Sequence, residues 1–508
     1  MKRFFAGLLL LITVESGAQI HNDGDSIWTV NYIHDIYLNF PQTGYWDTLM
    51  NNHNADIYTK CQLIFDGRTI NDIGAKFKGN SSFNNQSNKK PFKIDLNEFV
   101  AGQDYDGIKK FNLNNCFKDP TFLREKLALD FCNSHGIDAP RCNFARLYIN
   151  NTYWGLYTIV EDVNNKFLTQ HYGNNNGNLF KGDPSGDLKW LGATPSLYYN
   201  KYELDQTLTN DWSDLVRLIS VINNTPAQNF EDSLPMVLNT WSFLEAMAVC
   251  NMFANLDSYI GSGHNYYIYH DEMLGIFHWI VWDVNESFGN FQQNLNATTI
   301  QTIPYNYINQ PLNRPLMNNM MNNTNYHQYY VSIMCGFMND FSNAYFDPKI
   351  DSLANVIRAD VYADNLKFYT NQDFENNLTN PVSTPSPQGN FTIPGLKTFI
   401  STRRNKLVND LSQFGCWLTV PETSAVESAV YPNPADHFVM IPTGIQPSGE
   451  IAQMEVFDIT GKLILADQTI INANGIQINT AAFADGYYFS SITLSDGRKI
   501  VSKFSVQH

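Results

Sequence analysis

Along the first hundred residues of the chain, apolar and polar positions alternate in short runs broken by turn-forming residues. That period of two is the signature of half-buried β-strands, and residues 27–100 carry it throughout. From Phe122 the period lengthens. Leu123, Leu127 and Phe131 fall on one face, which predicts a helix over Phe122–Ser134. Arg146–Val160, rich in Tyr, Ile, Leu and Val around Asn150-Asn151, predicts a hairpin. Trp241–Phe253 reads as an apolar helix, Tyr266–Tyr269 and Ile276–Trp282 as two strands, and 328–415 as mainly helical. Tyr172–Asn178 and the Pro/Ser-containing Asn380–Gln388 read as surface loops. Strands first and helices later predict an α+β domain with two lobes.

The texture changes at both ends. Lys2 and Arg3 precede the apolar run Phe4–Val14, which is followed by Ser16-Gly17-Ala18. A charged start, a short apolar segment and small residues before the cut predict a signal peptide, 1–18, cleaved after Ala18. The run is too short to span a bilayer, which needs about 20 apolar residues, so no transmembrane segment is expected after cleavage. At the far end a polar stretch around Pro421-Glu422-Thr423-Ser424 predicts a linker, 419–428. Beyond it, His437–Ile441, Met454–Ile459, Lys462–Ala466, Ile476–Ile478, Gly486–Leu494 and Lys499–Val506 predict short strands of a small all-β sandwich over 429–508. The main domain is then 19–418.

Composition narrows the function. Hydrophobic residues make up 43% and aromatics 14% of the 508, enough for a substantial core. A net charge of −16 argues against nucleic-acid or anionic-membrane partners, which need a basic surface. The seven cysteines are scattered with no CxxC pair, which argues against a zinc-finger-type site. Export permits disulfides, with Cys132 and Cys142 a candidate pair and buried free thiols the alternative.

Three segments carry candidate chemistry. Gly74-Ala75-Lys76-Phe77-Lys78-Gly79-Asn80-Ser81-Ser82 and Lys89-Lys90-Pro91-Phe92-Lys93 form strand, small-residue loop and strand, with five lysines around the loop. Exposed backbone N–H groups beside fixed positive charge suit phosphate oxygens; a solvated basic hairpin is the plainer account. Asn255-Leu256-Asp257-Ser258-Tyr259 follows the apolar helix, with His264-Asn265 just beyond. Trp282-Asp283-Val284-Asn285-Glu286-Ser287-Phe288-Gly289 follows a strand, where an acidic side chain is placed to hold a divalent cation. Either aspartate alone is more often a turn former. The order of helix, Asp loop, Asn, two strands and Asp turn is that of protein-kinase catalytic lobes.

The pieces Lys78-Gly79-Asn80-Ser81-Ser82, Lys89-Lys90-Pro91-Phe92-Lys93-Ile94, Asp119-Pro120-Thr121-Phe122-Leu123-Arg124-Glu125-Lys126, Tyr153-Trp154-Gly155-Leu156-Tyr157, Asn178-Leu179-Phe180-Lys181-Gly182 and Trp282-Asp283 stand in the order seen in CotH-type proteins, which the stretch from about 32 to 415 resembles. The resemblance implies a two-lobed atypical protein-kinase-like fold and a secreted or surface enzyme. Such an enzyme passes phosphate from ATP, with Mg²⁺ or Mn²⁺, to Ser/Thr hydroxyls of an exported or surface protein substrate. It places Asp257 as the catalytic aspartate and Asp283 as the metal aspartate; chain order adds Asn265 as a second metal ligand. Lys78 or Lys93 would contact phosphate, with Asn80 and Ser81 in the loop. Glu125, or Glu161 at a hinge-like position, would pair with the lysine. Arg124 serves structure on an alternative reading.

The departures are a spacing of eight between Asp257 and Asn265, no His-Arg ahead of Asp257 and no Asp-Phe-Gly at 283–285. Glu286 is then a possible additional ligand. Tyr431-Pro432-Asn433-Pro434, Val456-Phe457-Asp458-Ile459-Thr460-Gly461-Lys462 and Asp485-Gly486-Tyr487-Tyr488 resemble the sorting domain of the type IX (Por) secretion system. That implies passage through the periplasm to the outside or the outer-membrane surface by that machinery. Two other functions compete. A catalytically silent adhesin-type protein would keep the fold for binding, and a glycoside hydrolase would use Asp257 and Asp283 as paired carboxylates.

Overall fold

The computed structural model describes residues 22–29, 31–386, 389–416, 430–442, 451–459, 462–470, 475–493 and 499–508. The expected signal peptide 1–18 and the expected linker 419–428 lie outside them. The chain forms two compact units, 1–416 and 417–508.

In the first unit the alternating stretch supplies four strands, β1 (His34–Asn39), β2 (Thr59–Phe65), β3 (Arg68–Phe77) and β4 (Phe92–Asp95), and the chain beyond it adds β5 (Lys110–Asn114), β6 (Cys142–Ile149) and β7 (Thr152–Glu161). They close into a barrel in the order β1-β2-β3-β4-β5-β7-β6, sealed by parallel pairing of β1 with β6. Closure removes the edges that an open sheet exposes. The period-two positions Ile36, Leu38, Leu63, Phe65, Phe92 and Ile94 meet in one buried cluster. Asn150 and Asn151 take φ of 46° and 64°, the left-handed pair that a two-residue hairpin needs, and join β6 to β7.

The first long helix, α1 (Arg124–Ser134), starts two residues later than its apolar period suggests. Phe122 sits at φ +61°, outside the helical region. Asp119 caps the first turn instead, accepting the Arg124 N–H at 2.9 Å on Oδ2 and the Arg124 guanidinium at 2.5 Å on Oδ1. Arg124, fully buried, also donates to Asn377 and to the Pro394 carbonyl. Its role is structural.

Beyond the barrel, β8 (Leu179–Lys181), β9 (Glu203–Gln206), β10 (Tyr266–Asp271) and β11 (Ile276–Val281) form a sheet in the order β11-β10-β8-β9. Helix α2 (Thr240–Met252) is buried almost all round and packs on β11 and on α3 (Thr324–Phe337). The helices α4 (Asn343–Ala363) and α5 (Leu396–Leu411) complete the unit. The segment read as a loop at Asn380–Gln388 instead holds a strand, β12 (Val382–Ser386), paired with β13 (Gly389–Ile393). Val382 and Ile393 face each other buried, and the Ser383 and Thr392 hydroxyls bond at 2.8 Å. Its Ser, Thr and Pro content masked that pairing.

Cys335 of α3 is disulfide-bonded to Cys416. Cys132 and Cys142, the pair suggested by sequence, are both buried and free.

A fully buried ion pair ties the barrel to the helices, beside the more exposed pair of Arg146 with Asp360. Lys89, between β3 and β4, places Nζ 2.5 Å from Asp364 Oδ2 just beyond α4, and both side chains are fully buried. The same carboxylate accepts the Leu156 N–H of β7 at 3.1 Å and the Leu366 N–H at 2.9 Å. Gly155 makes room for it: at φ +132°, a Cβ there would lie 2.5 Å from the Asp364 carboxylate.

The second unit is all β. A two-stranded sheet of β14 (Phe438–Ile441) with β17 (Ile476–Asn479) faces a four-stranded sheet. The latter runs β16 (Leu463–Ile470), β15 (Ile451–Asp458), β18 (Gly486–Thr493), β19 (Lys499–Val506). Val439, Ile441 and Ile478 meet Val456, Ile492 and Phe504 in a shared core, the arrangement of a small sandwich. Among the described residues, no helix is long and apolar enough to cross a membrane.

Removing one member of a fully buried ion pair strands the other charge, which costs about 3–5 kcal/mol, whereas replacing both by apolar residues costs far less. Urea unfolding of Asp364→Ala is therefore expected to show a loss of that size, with most of it recovered in Lys89→Met/Asp364→Leu. A loss in Asp364→Ala below about 1 kcal/mol would mean that this pair does not join the two halves.

Candidate functional site

The loop after α2 is held by its own polar side chains. Ala254 breaks the helix at φ +44°, and the Asn255 side chain accepts the Asp257 N–H at 3.2 Å. A Cβ on Gly261 would fall 1.9 Å from the Leu256 carbonyl oxygen, so only glycine fits this turn. Asp257 is half-buried, and its Oδ1 accepts His264 Nε2 at 2.9 Å and the Ser262 hydroxyl at 3.2 Å. Both bonds fall on one oxygen, which leaves Oδ2 for a second group.

Asp283 follows β11 at φ +52°. Its turn is stitched to the end of α2, because the Phe288 and Gly289 N–H groups both bond the Phe253 carbonyl, at 2.7 and 3.2 Å. Asn265 gives its side-chain N–H to the Asp257 carbonyl at 2.9 Å. The atom it keeps for a ligand is Oδ1.

From the barrel side comes Lys78, just past β3. Its backbone N–H is held by the Pro91 carbonyl, and its Nζ lies 3.3 Å from Asn114 Oδ1 and 5.3 Å over the Trp282 ring. Asn114 in turn donates to Glu125 Oε1 of α1 at 2.7 Å.

The charges of these groups are mutually felt. Burial pushes the Asp283 carboxyl up; Lys78, Lys181 and His264 oppose this, and Asp257 adds to it. Burial pushes the Lys78 ammonium down against the pull of Asp283 and Glu125, and pushes Glu125 up. His264 is raised despite burial, chiefly by its bond to Asp257. Asp283 and Glu125 are thus short of compensating positive charge.

The structure brings Asp257, Asp283, Asn265, Lys78 and Glu125 together, with Lys93 near enough to act on Lys78 but paired elsewhere, and engages the other candidates in separate contacts. Lys93 is committed to Asp162 at 2.9 Å, and Asn112 holds the same carboxylate at 3.2 Å. Glu161 is buried against Arg141 at 2.6 Å, so it closes an ion pair on the barrel. Asn80 and Ser81 are exposed, with Asn80 bonding Asn84 at 3.0 Å. The remaining lysines of the loop are structural. Lys76 pairs with Asp56 and Lys89 with Asp364, while Lys90 donates to the carbonyls of Phe83 and Asn85. A solvated basic hairpin is excluded by their burial.

A family profile described as CotH kinase protein covers residues 75–407. The chain belongs to the CotH family. A second profile, described as secretion system C-terminal sorting domain, covers 429–507. The CotH domain is similar to the inner spore coat protein H of Bacillus subtilis, 25% identical over 222 residues, 43% of this chain and 59% of that protein. It is also similar to invasin CotH3 of Rhizopus delemar, 25% identical over 185 residues, 33% of this chain and 30% of that protein. The chain thus spans less than two thirds of either relative. With its sorting tail, this is a CotH protein addressed to the type IX secretion machinery and hence to the outside or the cell surface.

Sequence reasoning missed two groups. His264 was legible only as a neighbour of Asn265, since nothing in a seven-residue separation shows a bond to Asp257. Lys118 reaches Glu286 Oε1 at 2.6 Å across 168 residues. Glu286 Oε2 is buried with no hydrogen-bond partner among the described residues, and burial pushes this carboxyl up to about 7.

A carboxyl with a folded value above its unfolded one holds extra protons in the folded state, so stability is full below the unfolded value and falls as pH rises to the folded one. For Glu286 that window runs from about 4.5 to about 7. Its share of the loss is about 3 kcal/mol at most, at 1.36 kcal/mol per unit. Glu286→Gln is expected to show a flatter fall in Tm between pH 5 and pH 8 than the wild type; parallel curves would remove Glu286 as the source.

Proposed function

We propose that this CotH protein is a secreted or surface atypical protein kinase that transfers phosphate from ATP to Ser or Thr hydroxyls of exported proteins, with Mg²⁺ or Mn²⁺. The observation that carries the reading is the convergence of Lys78 with Asp283 and Asp257, three groups from separate elements: Lys78 opposes the burial-driven rise of the Asp283 carboxyl and Asp257 adds to it. The barrel and the α2–β11 part are read as the two lobes, with these groups between them.

The donor set fits a hard divalent cation. Asp283 and the Asn265 Oδ1 offer oxygen ligands, and such an ion takes few protein oxygens when phosphate supplies the rest. When bound alongside ATP, Mg²⁺ would supply the positive charge that Asp283 lacks. Lys78, steered by Asn114 and Glu125, is placed to hold phosphate oxygens. Asp257, with Oδ1 fixed by His264 and Ser262, presents Oδ2 to orient an incoming hydroxyl and receive its proton. Trp282, beneath the Lys78 ammonium, keeps that charge from wandering.

A second reading is a binding protein that retains the fold without turnover. The name invasin, carried by Rhizopus relatives, favours it.

Labelled ATP with Mn²⁺ or Mg²⁺ separates the two. Asp257→Asn and Asp283→Asn are expected to lower phosphate incorporation at least ~10²-fold, the range for losing a positioned acid–base or charge-stabilising group. Tm should hold or rise, because each change relieves carboxylate repulsion. His264→Ala should lower kcat with little change in the KM for ATP, and His264→Gln should recover part of it. Incorporation equal in wild type and both Asp variants would defeat the site; none in the wild type would favour the binding protein.

A further inference from the structure

The β-unit carries a donor set that the phosphoryl-transfer reading does not use. Asp436 and His437 stand just ahead of β14, and His508 follows β19. One donor atom from each lies within 4.8 Å of the other two, and among the described residues no other three His, Cys, Asp or Glu donors are so placed. His508 Nδ1 is 3.0 Å from Asp436 Oδ1, and His437 Nε2 is 3.5 Å from Asp436 Oδ2. Zinc bonded tetrahedrally at about 2.0–2.1 Å holds neighbouring donors about 3.3 Å apart. The two observed spacings lie on either side of that value and end on different oxygens, Oδ1 toward His508 and Oδ2 toward His437, so the carboxylate spans the two rings.

The second ring nitrogen of His508 sharpens the case. Nε2 lies 3.0 Å from the Phe483 carbonyl oxygen. A carbonyl only accepts, so Nε2 carries the hydrogen. In a neutral imidazole Nδ1 is then a bare lone pair, yet it faces a carboxylate oxygen that has no hydrogen either. Two such acceptors stay in contact only with positive charge between them, a proton or a metal ion. An imidazole whose far N–H is held by a backbone carbonyl is the usual state of a metal-bound histidine.

The backbone holds the donors in place. The Gln507 N–H bonds the Ala435 carbonyl at 2.9 Å, and the Thr480 N–H bonds the His437 carbonyl at 2.9 Å. The His508 N–H bonds Asp485 Oδ1 at 3.0 Å. His437, Asp436 and His508 are all exposed, so an ion can enter and water can complete its shell.

We propose that Asp436, His437 and His508 bind a borderline divalent transition metal of the Zn²⁺ class through two imidazole nitrogens and the Asp436 carboxylate. Mg²⁺ and Ca²⁺, which favour all-oxygen shells, are not its ligands. The bound ion would clasp the segment entering β14 to the one leaving β19. The proposal is independent of any kinase activity.

Calorimetric titration of the full chain with ZnCl₂ tests it, beside His508→Gln and His437→Gln, with MgCl₂ as the control metal and circular dichroism to confirm folding. One equivalent of Zn²⁺ is expected in the wild type, weakened at least tenfold in each variant. Equal Zn²⁺ affinity in all three proteins would overturn the assignment by placing the ion elsewhere. Absence of Zn²⁺ binding to the wild type would overturn it too, leaving a proton as the charge between His508 and Asp436.

Discussion

The buried contact between Lys89 and Asp364 is the constraint on which the main unit rests. It joins a barrel loop to the end of a long helix at a point where neither charge meets water. An uncompensated charge there would be costly, so the loop between β3 and β4 has one position relative to the helices. Lys78 begins that same loop. The lysine that faces Asp283 is therefore aimed by another lysine eleven residues on, through an ion pair set apart from the acidic loops. Gly155 belongs to the same device, because any side chain there would occupy the space of the Asp364 carboxylate.

On the opposite side the two acidic loops are held as one piece. The Phe253 carbonyl at the end of α2 accepts from the turn that carries Asp283, and Asn265 reaches back to the Asp257 backbone. Two carboxylates that repel each other are kept near by main-chain bonds, which do not weaken as the charges change. Stability is given up locally, and what results is an arrangement in want of cations. Rigid elements around an electrostatically unfavourable centre are what a preorganised site requires.

Much of this fold was legible in the sequence, because burial imposes periods that the residues display. The barrel strands, the Asn150-Asn151 hairpin and the β-runs of the tail follow from alternation and turn chemistry. The order of Asp257, Asn265 and Asp283 was legible through local context, since each sits where a helix or strand ends. Partner choice among charged groups was not. Lys89 was grouped with phosphate-facing lysines because five lysines share a segment, but its carboxylate is 275 residues away. Lys93 and Glu161 look free in the sequence and are claimed by Asp162 and Arg141. The hairpin of β12 and β13 was hidden for a different reason: a polar strand whose apolar positions are few has no period to read.

The covalent link between Cys335 and Cys416 has a consequence for maturation. It fastens the last stretch of the first unit, which follows α5, to the body of α3. A protease that cuts the chain beyond Cys416 to release the sorting tail therefore creates a new end that is already anchored, and fraying cannot spread back along α5 from the cut. A nick inside the 81-residue span between the two cysteines would likewise leave both fragments on one molecule. Loss of the sorting tail by such a cut and integrity of the CotH domain would be separate events, with the crosslink as the border between them.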